Sequence, residues 1–158
     1  MRKVDLLDKK IISLLQENGR MTFIKIAETL GVAEGTVRKK VNSLIKDEVI
    51  NITAVCNPFI VSYNSPAFIG LDVERSKIKS VAQQLSDFHE VQFVAVTTGP
   101  FDLIIQVFAQ SNENLYDFIL NKLTLLDGII DTQTLLIMNI SKQVGKIEFG
   151  FSEEGSEN

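Results

Sequence analysis

The side chains best equipped for recognition chemistry fall in one short stretch, Thr36 to Lys46. Thr36, Arg38, Lys39, Lys40, Asn42 and Lys46 bring hydroxyl, guanidinium, ammonium and carboxamide groups together at helical spacing. Arg and Asn form paired hydrogen bonds to the edges of guanine and adenine. Lys ammonium groups hold phosphates without reading sequence. Thr36, Arg38, Lys39 and Asn42 are therefore candidates for base contacts, and Lys40 and Lys46 for phosphates. The competing use of any of these cations is a surface ion pair, with Glu28 or Asp47 in reach. Catalysis is poorly served by comparison. The single His89 and the single Cys56 lie in different segments, so neither has a partner for acid–base or nucleophilic work. Phosphate-loop and metal-ligand spacings are absent from the sequence. The expectation is no enzyme, no metal site and no cofactor.

These groups need a helix held outward by others. Thr22–Lys46 reads as two short helices joined by a tight turn, a helix-turn-helix. Ala27 is small enough for the second helix to pass close by, Gly31 can take the left-handed conformation that ends the first helix, and Val37 points into the core. Asp5 or Asp8 can cap an earlier helix running to about Glu17, with Leu7, Ile11, Ile12, Leu14 and Leu15 as its apolar stripe. Asn18-Gly19 stops it. Thr22 is a good N-cap, followed by inward Phe23, Ile26, Ala27 and Leu30. Val37, Val41, Leu44 and Ile45 form the inner face of the recognition helix. Three helices within residues 1–50 make a small DNA-binding domain.

Val49–Val55 alternates and is β-branched, so it reads as a strand. Asn57-Pro58 ends it, and 51–64 is a linking strand and linker. Residues 65–150 then read as strands over Ala67–Val73, Val91–Thr97, Asp102–Ala109 and Ile130–Ile140. Ser76 can cap a helix through Ile78, Val81, Ala82, Leu85 and Phe88. Asn112 can cap another through Leu115, Phe118, Ile119, Lys122 and Leu126, broken at Asp127-Gly128. The order βαββαβ is that of a ferredoxin-like domain with an antiparallel sheet, an α+β fold. Both faces of the third and fourth strands are largely apolar, whereas two helices cover only one face of such a sheet. A second copy of the same face is the simplest cover for the other, giving a C2 homodimer. The segment 151–158 is polar and acidic and reads as a disordered tail.

Bulk properties agree with this division. Residues 1–50 hold ten Lys/Arg against seven Asp/Glu, and residues 51–158 hold six against thirteen, within a net charge of −4. A cationic N-terminal part on an anionic C-terminal part suits a nucleic-acid module carried by a domain with another task. Apolar residues make up 45% and charged residues 23%, enough for a buried core. No run of eighteen apolar residues suggests a membrane span, the N-terminus does not read as a secretory signal, and the one Cys excludes an internal disulfide. A cytoplasmic protein is expected. The alternative to a DNA-binding regulator is an oligomeric protein-interaction module without specific DNA binding.

The ordered set of motifs resembles the leucine-responsive regulatory protein/AsnC (feast/famine) family of transcription regulators. It comprises Leu7-Asp8 with Ile11 and Leu15, Asn18-Gly19-Arg20, Ala27 to Gly31, Thr36-Val37-Arg38, Asn57-Pro58, Thr98-Gly99-Pro100-Phe101-Asp102 and Asp131-Thr132. The resemblance covers nearly the whole chain. It implies a sequence-specific regulator that binds a palindromic site in double-stranded DNA as a dimer or higher oligomer, often a tetramer or octamer. It also implies a C-terminal RAM domain that takes a small effector, usually an amino acid. Thr98, Gly99, Pro100, Phe101 and Asp102 match the turn near the family's pocket, with Thr132 and Thr134 on the last strand. Asp102 can hold an ammonium group, or else fix the hairpin through its own backbone. Two positions depart from the family pattern: Glu48 stands where Gly is frequent, and Ala33-Glu34-Gly35 opens the recognition helix where Ser-Pro or Ser-x is frequent. Glu34 is read as a helix cap, with a contact to cytosine as the alternative.

Overall fold

The computed structural model describes residues 3–142. The chain divides into two compact units, one running to Ala54 and one spanning Val55–Ser141. The acidic segment 151–158 and the end of the expected second domain lie outside the described residues.

The first unit is three helices, α1 (Leu6–Glu17), α2 (Phe23–Leu30) and α3 (Glu34–Lys46). Asp5 is the N-cap of α1, and a capping box closes it: Asp8 N–H donates to Asp5 at 2.8 Å and Asp5 N–H donates to Asp8 at 3.1 Å. Thr22 caps α2 by accepting from Lys25 N–H at 3.2 Å. Gly31 ends α2 at φ 65°, where a side chain would be strained. The core joins Ile11, Ile26, Ala27, Val37 and Val41. Leu44 is also fully buried, but Ile45 is 43% exposed rather than inward, since it stands about 100° further round the helix.

The C-terminus of α3 closes in a Schellman motif. Glu48 N–H donates to Ile45 C=O at 3.1 Å and Val49 N–H to Leu44 C=O at 2.9 Å. Glu48 occupies the left-handed position, φ 55°, that glycine fills without strain. The strand expected over Val49–Val55 does not form. Residues 51–56 are not strand and bond no backbone group among the described residues, and Ile52 and Val55 are exposed. The β pattern is present, but a strand needs a neighbour to satisfy its donors and acceptors.

The second unit contains β1 (Ser65–Val73), α4 (Ile78–Ser86), β2 (Val91–Val96), β3 (Leu103–Ala109), α5 (Asn112–Asn121) and β4 (Ile129–Leu136). The strands form one antiparallel sheet in the order β2-β3-β1-β4, the ferredoxin-like arrangement. Leu103, Ile105, Val107 and Ala109 of β3 bury against the helices with Ile69, Leu71, Val81, Leu85, Leu115 and Phe118. Phe88 and Phe118 meet edge to face at 5.7 Å.

Several boundaries differ from expectation. Neither Ser76 nor Asn112 is an N-cap. Lys77 precedes α4, its ammonium held by Asp127 at 2.8 Å and Glu74 at 3.2 Å. Ser111 caps α5, which leaves Asn112 to accept from the buried Ser65 hydroxyl at 2.7 Å. Helix α5 ends at Asn121, before Asp127-Gly128, and a short 3-10 turn over Leu123–Leu125 follows. Strand β4 ends at Leu136 rather than Ile140. Ile137 N–H still reaches Pro66 C=O at 2.8 Å, but proline has no N–H to return the bond.

Candidate nucleic-acid interface and effector turn

The outward face of α3 follows from its buried one. With Val37, Val41 and Leu44 inside, Gly35, Lys39, Asn42 and Lys46 succeed one another along the opposite side, all exposed. Thr36 and Arg38 are also exposed, on the two flanks of that line. Ala33 is the N-cap of α3 and offers no side-chain bond, so the helix opens without a cap.

Two of the expected roles change. Glu34 does not cap the helix. It is the first residue of α3, and its carboxylate accepts from the Arg38 guanidinium one turn on. That guanidinium also lies over the Phe23 ring, 5.4 Å from its centroid. Lys40, expected on a phosphate, turns toward the protein. Its ammonium is 2.6 Å from Asp5 and 3.0 Å from Asp8, and only 21% of its side chain is exposed. The Lys40 ammonium holds the Asp5 carboxyl below its ordinary value, and Asp5 in turn holds the Lys40 ammonium above its own. Asp8 itself is 1% exposed. The pair ties α3 to the start of α1. The ion-pair partners considered from sequence were Glu28 and Asp47. The partners found, Glu34, Asp5 and Asp8, become visible only once the helices are packed, apart from the i,i+4 spacing of Glu34 and Arg38.

In the second unit, Thr98, Gly99 and Pro100 form the exposed tip between β2 and β3, with Gly99 at φ 133°. Thr97 hydroxyl donates to Phe101 C=O at 2.6 Å. Asp102 does not bond its own backbone. Its carboxylate accepts from Val73 N–H at 2.9 Å, and its own N–H donates to Leu71 C=O at 3.0 Å. It therefore fastens the turn to the end of β1. The Phe101 ring lies on Gly70, where a Cβ would come within 2.5 Å of the ring. Gly70 was not singled out from sequence, since nothing local marks a glycine as the seat of a distant ring.

Thr132 pairs with Leu71, which pairs with Leu103, so Thr132 and Asp102 reach the same end of the sheet, with β1 between them. Thr134 is opposite Ile69, further along β4, and is exposed. The expected effector residues are thus partly gathered but not enclosed. A cleft of about 470 Å³ lies at the opposite end of the sheet, among Ser65, Gln110, Ser111, Asn112 and Ile137, and contains none of them. Among the described residues no group of His, Cys, Asp and Glu is arranged to hold a metal. No helix there is long and apolar enough to cross a membrane.

Comparison with known proteins assigns both units. Residues 4–51 match the winged helix-turn-helix DNA-binding family, and residues 66–147 match the Lrp/AsnC ligand-binding domain. An HTH-type transcriptional regulator of Pyrococcus horikoshii is 40% identical over 144 residues, 89% of this chain and 91% of the relative. The structure of AsnC from E. coli superposes with a TM-score of 0.76 at 25% identity, over 90% of this chain and 97% of that one. A transcriptional regulator from Neisseria meningitidis, solved as an L-Met complex, has a TM-score of 0.78 at 23% identity, over 92% and 97% of the two chains. These are regulators rather than enzymes. A helix-turn-helix whose second helix faces outward, joined to a ferredoxin-like ligand-binding domain, makes this chain a member of the Lrp/AsnC family of transcriptional regulators.

Proposed function

We propose that the protein binds a palindromic site in duplex DNA as a homodimer and that an amino acid adjusts this binding. The observation that carries the reading is the outward line of Gly35, Lys39, Asn42 and Lys46 on α3, flanked by Thr36 and Arg38. Thr36, Arg38, Lys39 and Asn42 read base edges, and Lys46 meets phosphate. Lys40 is left out because Asp5 and Asp8 hold it.

Two features support self-association. The sheet face away from the helices exposes Phe68, Phe93 and Leu135, with Ile104 and Phe108 half-buried beside them. The β-type segment 51–56, unpaired among the described residues, is a second surface suited to a partner. Two symmetric copies place two recognition helices on two half-sites. Assembly into tetramers or octamers completes the effector site, because the turn at Thr98–Asp102 and the threonines of β4 leave an amino acid open to water within one chain. In this reading Asp102 receives the ammonium group, the amides of Gly99 and Phe101 receive the carboxylate, and Thr132 and Thr134 come from a neighbouring copy. The L-Met complex of the Neisseria regulator supports the choice of an amino acid.

The test is selection of genomic fragments by the purified protein at near-physiological salt, with and without pooled amino acids. Enrichment of a roughly palindromic site that changes with amino acids is expected. Enrichment unaffected by any amino acid removes the effector from the reading, and no enrichment removes the DNA site.

A further inference from the structure

We infer that Glu34 and Phe23 are positioning residues for Arg38, and that together they set how sharply the protein distinguishes one DNA sequence from another. The inference rests on the reading of Arg38 as a base reader.

An exposed arginine ordinarily moves among many rotamers, and a reader that must first be ordered loses part of its contact energy. Arg38 is 60% exposed at its side chain, yet it is held from two directions. Glu34, one helical turn earlier on α3, accepts from its Nη2. Phe23, the first residue of α2, lies under its Cζ at 5.4 Å. The Phe23 ring packs against the core of the helical unit, so it is a fixed platform rather than a second loose group. A guanidinium whose carbon sits over a ring and one of whose donors is engaged has lost much of its freedom. Its remaining donors then point in a defined direction, as paired recognition of two acceptors on one base requires.

Glu34 also carries a cost for DNA binding, whatever its charge contributes at the N-terminus of α3. It places a carboxylate at the N-terminal end of a helix that meets polyanionic DNA, and so opposes binding to any sequence. Its two effects therefore have opposite signs. Removing its charge tightens binding to arbitrary DNA, while loosening Arg38 weakens discrimination.

The experiment uses the full chain and a duplex selected by the intact protein. Kd is measured for this duplex and for a scrambled duplex of equal composition. For Glu34→Gln, scrambled DNA binds more tightly and the ratio of the two affinities falls about fivefold to fifteenfold, within the roughly 5- to 150-fold that one paired Arg–base contact supplies. For Phe23→Leu the ratio falls by a similar factor without the gain on scrambled DNA. Phe23→Tyr keeps the aromatic face and keeps the ratio. A role in helix stability alone moves both affinities by one factor. If Glu34→Gln and Phe23→Leu do that while Arg38→Ala lowers the ratio, the positioning role is overturned and the reader stands. If Arg38→Ala leaves the ratio intact, or no duplex is selected, the base-reader reading and this inference both fail.

Discussion

Replacing Lys40 by methionine keeps the length and apolar stem of the side chain and removes the charge that joins α3 to α1. The two partners of that charge differ in weight. The Asp5 side chain is 57% exposed, so its share resembles a surface pair, worth about 0–1 kcal/mol. Asp8 is 1% exposed, and removing one partner from a buried charge costs at most about 3–5 kcal/mol, less where other groups also satisfy it. The Asp5 N–H still donates to Asp8 at 3.1 Å, which lowers the expected loss to roughly 2–4 kcal/mol. The assay is hydrogen exchange on peptides spanning Leu6–Glu17 and Glu34–Lys46, with β1 and β3 peptides as the internal control. The slowest amides of both helices should exchange about 30- to 700-fold faster in Lys40→Met. The double variant Lys40→Met with Asp8→Leu should recover all but the lost capping box, about 1 kcal/mol. The pair also has a pH signature. The folded Asp5 carboxyl is lowered, so its contribution is present above 3.8 and lost as pH falls below that value. The folded Lys40 ammonium is raised, so its contribution is present below 10.5 and lost as pH rises beyond it. Both limbs should flatten in Lys40→Met. Protection unchanged within about threefold would refute the argument that a buried charge is being satisfied.

Three other outcomes follow from particular contacts. Gly70→Ala forces the Phe101 ring off the sheet and should cost about 1–3 kcal/mol in thermal unfolding, with no loss if the ring can leave freely. Glu48→Gly relieves the left-handed strain in the Schellman motif and should stabilise the helical unit by about 0.5–1 kcal/mol, against the usual penalty for a glycine. Phe68→Asp puts a charge on the outer sheet face between Gln106 and Leu135, and sedimentation should show self-association weakened about tenfold or more. An unchanged oligomer would mean that this face is not the interface.

Much of the architecture was legible because it is written locally. Thr22 and Gly31 bracket α2 as expected, and β3 alternates as expected, but with both of its faces largely apolar only the structure shows that Leu103, Ile105 and Val107 are the covered ones. Boundaries were legible only where no second candidate stood nearby. Ser111 displaced Asn112 as a cap because Asn112 is drawn to Ser65, forty-seven residues away in sequence. The segment 49–55 has the composition of a strand, but pairing depends on a neighbour that periodicity does not supply. The same limit applies to the sites. The types and spacing on α3 identified the exposed face, yet they could not show that Lys40 is turned inward by Asp5 and Asp8. Asp102 was found by its motif, and its actual partner, Val73 N–H, lies across the sheet. The seat of Phe101 on Gly70 had no signal in the sequence at all.

The claim on which the rest depends is that the outward face of α3 reads sequence. The most direct test substitutes Thr36, Lys39 and Asn42 together by alanine, all exposed positions whose loss spares the core. Binding to the selected duplex and to its scrambled counterpart is then measured across a salt series. The intact protein should prefer the selected duplex by about a thousandfold or more, and the triple variant should keep no more than the roughly 5- to 150-fold preference that Arg38 alone supplies. A triple variant that keeps the intact protein's preference would contradict the account and place sequence reading elsewhere in the chain.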